Sequence, residues 1–470
     1  MSRYDVVVTD CELFFQPIET RVPLKFGPEV TTHVVSARAH VFVAAKDGTQ
    51  SDGWGETPLS VAWVWPGSLG YSYRQSRLQD FCVSLRDVWK HIAYSGHAME
   101  IGHRFVHNEL VSLWNEENEG YGEVEKMPWL AALVCDSLFD LALHDAYGKV
   151  HGVDSWETFN EHYMNHDLAW FYDEQYRSLF EGKYPGDYLL GKDDLPGELV
   201  AWHLIGAKDI VARAGYDGEV LQDGYPFFLD EWVERDGLKC LKVKLTGTDG
   251  EWDYRRLIEV GMVVRAHGVS WLTADFNCTV TNPVYVTNIL DRLMVEYPDL
   301  YAKILYVEQP FPYDIERHPI DVHSVSARKP LFMDESAHDW RYLAYGRKLG
   351  WTGVALKTCK TLSGALLSLC WAKEHGMTLM VQDLTNPMLA QIPHVVLAAR
   401  AGTIMGVETN SMQFYPGASV NEQRIHPGLF ERKDGCVRLD SLGDVGLGYR
   451  YDEIEEARIA SHAEDLWQRA

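Results

Sequence analysis

Two lysines share one face of the stretch LKCLKVKLTG, residues 238–247. Lys242 and Lys244 are two apart, and on a strand side chains at i and i+2 point the same way. Leu241, Val243 and Leu245 fill the other face. A half-exposed strand would simply offer such a pair to water. A strand ending at a reaction site would offer it to a substrate, where one ammonium lowers the pKa of the other by like-charge repulsion and prepares it as a base. The runs that follow favour the second reading. WLTADFN, ILYVEQP, PLFMDES and GVALK carry Asp275, Glu308, Asp334 and Lys357 at corresponding places, in steps of 31, 33, 26 and 23 residues from Lys244. Each step is close to the ~30 residues of one βα unit.

The elements that must position these groups are short β-rich runs alternating with helical stretches such as EWDYRRLIEVGMVVRAHG and LSGALLSLCWAKEHG. That alternation means parallel strands with helical crossovers. With one strand near LVAWHLIG and others at TLMVQD and TIMGVE, eight are present, which suits a (β/α)8 barrel. No GxGxxG or P-loop opens any unit, which disfavours a nucleotide-binding open sheet. Strand C-termini of a barrel converge on one mouth. Two lysines and three carboxylates should therefore meet there. Three carboxylates without Cys or His suit a hard, oxygen-loving cation such as Mg²⁺. Glu335, beside Asp334, is an alternative third ligand, because strand alternation aims only one of the two inward.

The remainder of the chain sets limits. Of 470 residues, 43 are basic and 68 acidic, giving a formal charge of −25. Such a surface opposes non-specific binding to nucleic acid and to anionic membranes. Eight scattered cysteines include no CxxC and suit reduced thiols in a cytoplasm. The N-terminus has no signal-peptide pattern, and no apolar run approaches a membrane span. Residues 1–60 read as strands with a hairpin at Asp47-Gly48, and residues 70–150 as helices. Residues 165–197 are rich in Tyr, Phe and Trp. This segment is expected to cover the barrel mouth or a subunit interface.

The ordered set KVKLTG, DFN, VEQPF, MDES and VALKTCK resembles the enolase superfamily, and within it the muconate-lactonizing and dipeptide-epimerase-like subgroup. VPLKFG, SDGWGE and LFDLALHDAYGK resemble that family's capping domain. With this resemblance the chain divides into an N-terminal α+β capping domain (residues 1–160), the aromatic insertion (161–198), which the residues themselves suggest, a (β/α)8 barrel (199–425) and a C-terminal segment (426–470) expected to return to complete the cap. It implies metal ligands at Asp275, Glu308 and Asp334, acid/base lysines at Lys244 and Lys357 with Lys242 as tuner, and Mg²⁺ stabilising an enediolate. Mandelate-racemase-like members carry a His at the seventh strand, where this chain has Asp383. The eighth strand, GVETNS, lacks the DxD of alanyl-dipeptide epimerases.

The expected reaction is thus α-proton abstraction from a small carboxylate, leading to racemisation, epimerisation or cycloisomerisation. Acid-sugar dehydration is the alternative, and a catalytically silent carboxylate-binding barrel is the rival of another class. Arg21, Lys25, Asp383, Glu408 and Asn410 are candidates for substrate binding. Trp63 and Trp65 either exclude water or merely pack. Lys360 reads as a solvated helix start, Gln309 and Pro310 as shaping a turn, and His267, His318, His375 and His394 as structural. A homo-oligomer is expected.

Overall fold

A computed structural model of the chain describes residues 2–26, 29–461 and 463–470. The N-terminal part is an antiparallel sheet of β1 (Val6–Phe26), β2 (Glu29–Ala45) and β3 (Gln50–Leu59), with the two-residue β4 (Ser95–Gly96) against β1. The β2–β3 hairpin turns at Asp47-Gly48, where Gly48 takes φ +89, a conformation that favours glycine. One face of the sheet buries Ala37, Ala39, Val41 and Val43 against the helix Trp129–His151, which is buried almost throughout. SDGWGE explains how near the two approach. A Cβ on Gly53 would stand 2.1 Å from the Ala146 backbone nitrogen, and one on Gly55 would stand 2.1 Å from the Leu138 carbonyl oxygen.

The second unit is the barrel. Its strands are β5 (Glu198–Ile205), β6 (Cys240–Lys244), β7 (Trp271–Asp275), β8 (Ile304–Glu308), β9 (Leu331–Met333), β10 (Gly353–Leu356), β11 (Thr378–Val381) and β12 (Val407–Glu408). They pair in parallel in the order β11-β10-β9-β8-β7-β6-β5-β12. The remaining gap is narrowed where the Ile404 N–H donates to the Leu379 carbonyl across 2.8 Å. Inside, Trp202, Cys240, Tyr306, Phe332 and Met380 plug the barrel. One residue pair further along the strands the filling becomes charged: Leu204 stands opposite Lys242, Lys244 opposite Asp275, and Asp275 opposite Glu308.

The chain then returns. β13 (Cys436–Arg438) pairs antiparallel with the start of β5, and β14 (Gln468–Arg469) pairs with Phe14 and Phe15 of β1. On the cap's second face the Arg38 guanidinium lies 4.0 Å from the Trp467 ring centroid and bonds Glu56 at 2.7 Å. The C-terminal tail therefore completes the capping domain. All eight cysteines are free, and among the described residues no helix is long and apolar enough to cross a membrane.

The aromatic segment does not lie over the mouth. Tyr172 donates to the Leu367 carbonyl at 2.7 Å, Tyr176 meets Trp340 and Trp371 edge-on, and Tyr188 donates to Glu374 at 2.5 Å. These partners belong to the helices Trp340–Leu349 and Leu362–Glu374 on the outer wall of the barrel. The aromatics cover apolar helix faces that would otherwise meet water.

The close approach of β3 and its helix sets a first expectation. Gly55→Ala must push strand and helix apart and should lower stability by about 1–3 kcal/mol, the usual range for overpacking, read as a shift of the urea midpoint. An unchanged midpoint would mean that the interface relaxes freely.

Candidate functional site

The lysines of β6 end in a nest of acids. Lys242 and Lys244 are 2% and 3% exposed, so neither lies on a solvated face. The Lys242 Nζ donates to Glu308 at 2.5 Å and to Glu408 at 3.0 Å, and stands 3.3 Å from Asp275. Lys244 donates to the same Asp275 oxygen and, at 2.8 Å, to Asn277 Oδ1. Across the ring, Lys357 donates to the Asp383 carbonyl at 3.0 Å and lies 3.3 Å from Asp334 Oδ2. The structure thus brings together Lys242, Lys244, Lys357, Asp275, Glu308 and Asp334, with Glu408 beside them.

The charges act on one another. Burial raises the Glu308 carboxyl well above its usual range, and the neighbouring Asp275 and Asp334 add to this against the pull of Lys242. Burial also works against ionisation at Asp275, yet the Lys244 and Lys242 ammonium groups hold its carboxyl low. Lys242 itself is raised: Glu308, Glu408 and Asp275 outweigh the burial that would neutralise it. This corrects the expectation that Lys242 acts as a bare like charge on Lys244. Its charge is compensated by three carboxylates, and it holds those carboxylates in place. Lys357 is likewise raised, by Asp334, against burial.

Several residues take roles that spacing alone does not show. Lys360 is not a solvated helix start. It is buried, donates to the Asp334 carbonyl, and lies 3.6 Å from Asp334 Oδ1. Trp63 reaches down from the cap: its indole N–H donates to Glu335 at 3.0 Å, and its ring lies 5.3 and 5.6 Å from the ammonium groups of Lys357 and Lys360. Trp65 instead packs under Arg77, within the cap. Burial, with Asp334 and Asp275 nearby, pushes the Glu335 carboxyl up to about 7. Gln382 was missed altogether. It donates to Glu308 at 2.6 Å and to Tyr306 at 3.0 Å, while its Oε1 accepts from Lys242 at 3.3 Å. The signal was the alternation of TLMVQD, which puts Gln382 in the barrel and Asp383 beyond the strand.

The residues expected to read the substrate are differently occupied. Asp383 accepts from the Asn410 backbone and side chain at 2.7 and 3.0 Å. Asn410 also donates to Glu408 at 2.8 Å and accepts from the Leu204 N–H at 3.0 Å. These three work as an internal brace behind the lysines, because each is buried and finds its partners among the others. Arg21 is clamped by Asp223 at 2.6 and 3.0 Å and by the Tyr225 carbonyl at 3.1 Å. Lys25 stands near the end of β1 opposite Val30, partly exposed. Of the histidines, His394 contacts the Glu408 carbonyl at 2.7 Å and His375 stacks on Trp371. The backbone is strained at the same end: Asn277, Cys278, Gln309, Thr361 and Thr385, all in loops that follow barrel strands, have positive φ.

Among the described residues, no three Asp, Glu, His or Cys side chains form a ready-made metal cage, since ammonium groups stand between the acids. The donor chemistry nevertheless fits a hard divalent cation. Asp334 Oδ1 is buried with no hydrogen-bond partner. Six buried carboxylates (Asp275, Glu308, Asp334, Glu335, Asp383 and Glu408) face four buried ammonium groups (Lys242, Lys244, Lys357 and Lys360), which leaves two negative charges when all are ionised.

Gln309 supports this cluster through one oxygen, which accepts from the Asp334 N–H at 2.7 Å and the Ser336 hydroxyl at 2.8 Å. Gln309→Leu should strand both donors in a buried place and lower stability by about 2–4 kcal/mol, measured by urea denaturation. A loss within a few tenths of a kcal/mol would show that water replaces the amide.

Comparisons with known proteins agree with this architecture. The family model described as enolase C-terminal domain-like matches residues 228–455. No curated protein sequence matches the chain. A dipeptide epimerase from Enterococcus faecalis V583, solved with Mg and L-Leu-L-Tyr, superposes with a TM-score of 0.60 at 14% identity, over 94% of this chain and 99% of that one. An N-succinyl Arg/Lys racemase from Bacillus cereus ATCC 14579 gives 0.60 at 15% identity, over 99% and 100%. A muconate lactonizing enzyme from Mycobacterium smegmatis, solved with muconolactone, gives 0.55 at 14% identity, over 94% and 96%. The chain shares the two-domain fold of these structures, and residues 228–455 match the enolase C-terminal domain-like family.

Proposed function

We propose that this protein is an enzyme that removes the α-proton of a small carboxylate substrate, with racemisation or epimerisation as the outcome. One observation carries the reading. β6 and β10, which bring Lys244 and Lys357 to the mouth, are four strands apart in a ring of eight, with the acid-bearing β7, β8 and β9 between them. A substrate held at those acids has one lysine on each side. One lysine can take the α-proton from one face while the other returns a proton to the opposite face.

Asp275, Glu308 and Asp334 would hold Mg²⁺, whose positive charge favours the build-up of negative charge on the substrate carboxylate. The chain's own groups do the rest. Asn277 and the Asp383 carbonyl each fix one ammonium by a hydrogen bond, so both lysines are aimed before substrate arrives. Lys242 and Gln382 hold Glu308 from two sides. Trp63 closes the Lys357 side against water, which strengthens the electrostatic interactions beneath it. The dipeptide and N-succinyl amino acid named for two of the similar structures support a substrate with a carboxylate next to a stereocentre.

The test is exchange of the α-hydrogen in D₂O with Mg²⁺, run on both enantiomers of dipeptides and N-acylamino acids. Lys244→Ala should depress exchange from one enantiomer by about 10²–10⁴-fold, the usual contribution of a general acid or base, and spare the other. Lys357→Ala should do the reverse. If both variants lose exchange from the same enantiomer alone, the chemistry is one-sided and the two-base reading fails.

A further inference from the structure

A cavity lies behind β5, outside the ring of strands. It measures about 140 Å³, is partly open, and is walled chiefly by Val22, Ile205, Ile210, Phe227, Leu229 and Trp232, with His203 and Gln413 as buried polar members and Arg21, Lys208 and Asp209 as charged ones. Strand alternation separates it from the lysines. Leu204 shares the inward face with Lys242, whereas His203 and Ile205 point outward, toward the helix Leu229–Asp236. The His203 ring lies 5.4 Å from that of Trp232 on this helix.

The polar members are incompletely satisfied. His203 is 2% exposed and its Nδ1 has no hydrogen-bond partner; Gln413 is 3% exposed and its Oε1 has none. The Gln413 amide nitrogen is engaged by the Leu204 carbonyl at 2.8 Å, which leaves the oxygen as the open end. Orphaned buried polar atoms each cost free energy that a ligand can recover. Burial holds His203 well below its usual pKa, so the ring is neutral and one nitrogen donates while the other accepts. The Arg21 guanidinium is already neutralised by Asp223, Asp209 accepts from the Gly206 N–H at 2.8 Å, and Lys208 is exposed to water. An uncharged occupant is therefore favoured over an ion, whose desolvation would go uncompensated. Size sets the body of the ligand: an apolar cavity of about 150 Å³ takes up benzene.

We infer that this cavity is a binding site, distinct from the lysine and carboxylate cluster, for a neutral benzene-sized group bearing a hydroxyl, of which phenol is the simplest example. A hydroxyl both donates and accepts, so it can satisfy Gln413 Oε1 or His203 Nδ1 whichever tautomer the ring adopts. An occupant bonded to Gln413 would lie one hydrogen bond from Leu204, whose own N–H is held by Asn410 of the Asp383–Glu408 brace.

Phenol and benzene serve as probes in calorimetric or ligand-observed NMR titrations of the whole chain. Phenol should bind saturably, one per chain, and about tenfold more tightly than benzene, the value of one net hydrogen bond. Ile210→Trp and Val22→Trp fill the cavity from half-exposed positions, where the fold is spared, and each should abolish binding. Lys244→Ala should bind phenol as the wild type does, so a failure of the catalytic reading leaves this result intact. The inference is overturned if phenol does not saturate, if both filling variants still bind it, or if benzene binds equally well, which would leave the hydroxyl without a role. Loss of binding in Lys244→Ala would place phenol in the catalytic mouth and overturn the second site.

Discussion

Ten buried ionisable groups at one end of a barrel cannot be tolerated singly. A carboxylate or ammonium taken out of water carries a penalty of several kcal/mol, and removing one partner leaves the other stranded. The mouth is stable only because the two signs alternate. Lys242 stands between Glu308, Glu408 and Asp275, Lys244 beside Asp275, and Lys357 and Lys360 beside Asp334. The rest of the molecule follows from that constraint. The strands hold the groups in register, the aromatic plug fills the barrel where charge would be intolerable, and the cap's Trp63 shields the side where two ammonium groups meet.

The same constraint accounts for the braces around the cluster. Gln309 and Gln382 are uncharged, yet each joins two or more buried polar groups of the cluster. Asp383, Glu408 and Asn410 knit the ends of the last two strands together where no strand ladder joins them. The strained loops are a further expression of it. Asn277, Gln309 and Thr361 hold positive φ within two residues of Asp275, Glu308 and Lys360, at the end of the barrel where these groups meet.

Much of this was legible in the sequence. The regular spacing of Lys244, Asp275, Glu308, Asp334 and Lys357 followed from one βα unit per step, and each sits at or just beyond a strand end. The cap was visible in SDGWGE, whose glycines allow helix contact. What spacing does not encode is which partner a long side chain chooses. Lys360 reads as solvated because it stands at the start of a helical stretch, yet the chain curls back and buries it on Asp334. Asp383 and Asn410 looked like substrate readers because their burial depends on a contact between two strands far apart in sequence. The aromatic segment signalled that it packs but not where, since several apolar helix faces could receive it.

The central claim is that alternating charge prepares this mouth for a divalent cation, with lysines waiting on either side. Calorimetric titration of Mg²⁺ into the wild-type chain and into Glu308→Gln tests it most directly. The account predicts one saturable ion per chain in the wild type, and a loss of about tenfold or more in affinity when one of three anionic ligands becomes an amide. Wild-type protein that takes up no Mg²⁺ at millimolar concentration, or a Glu308→Gln variant that binds it as well, would contradict the account.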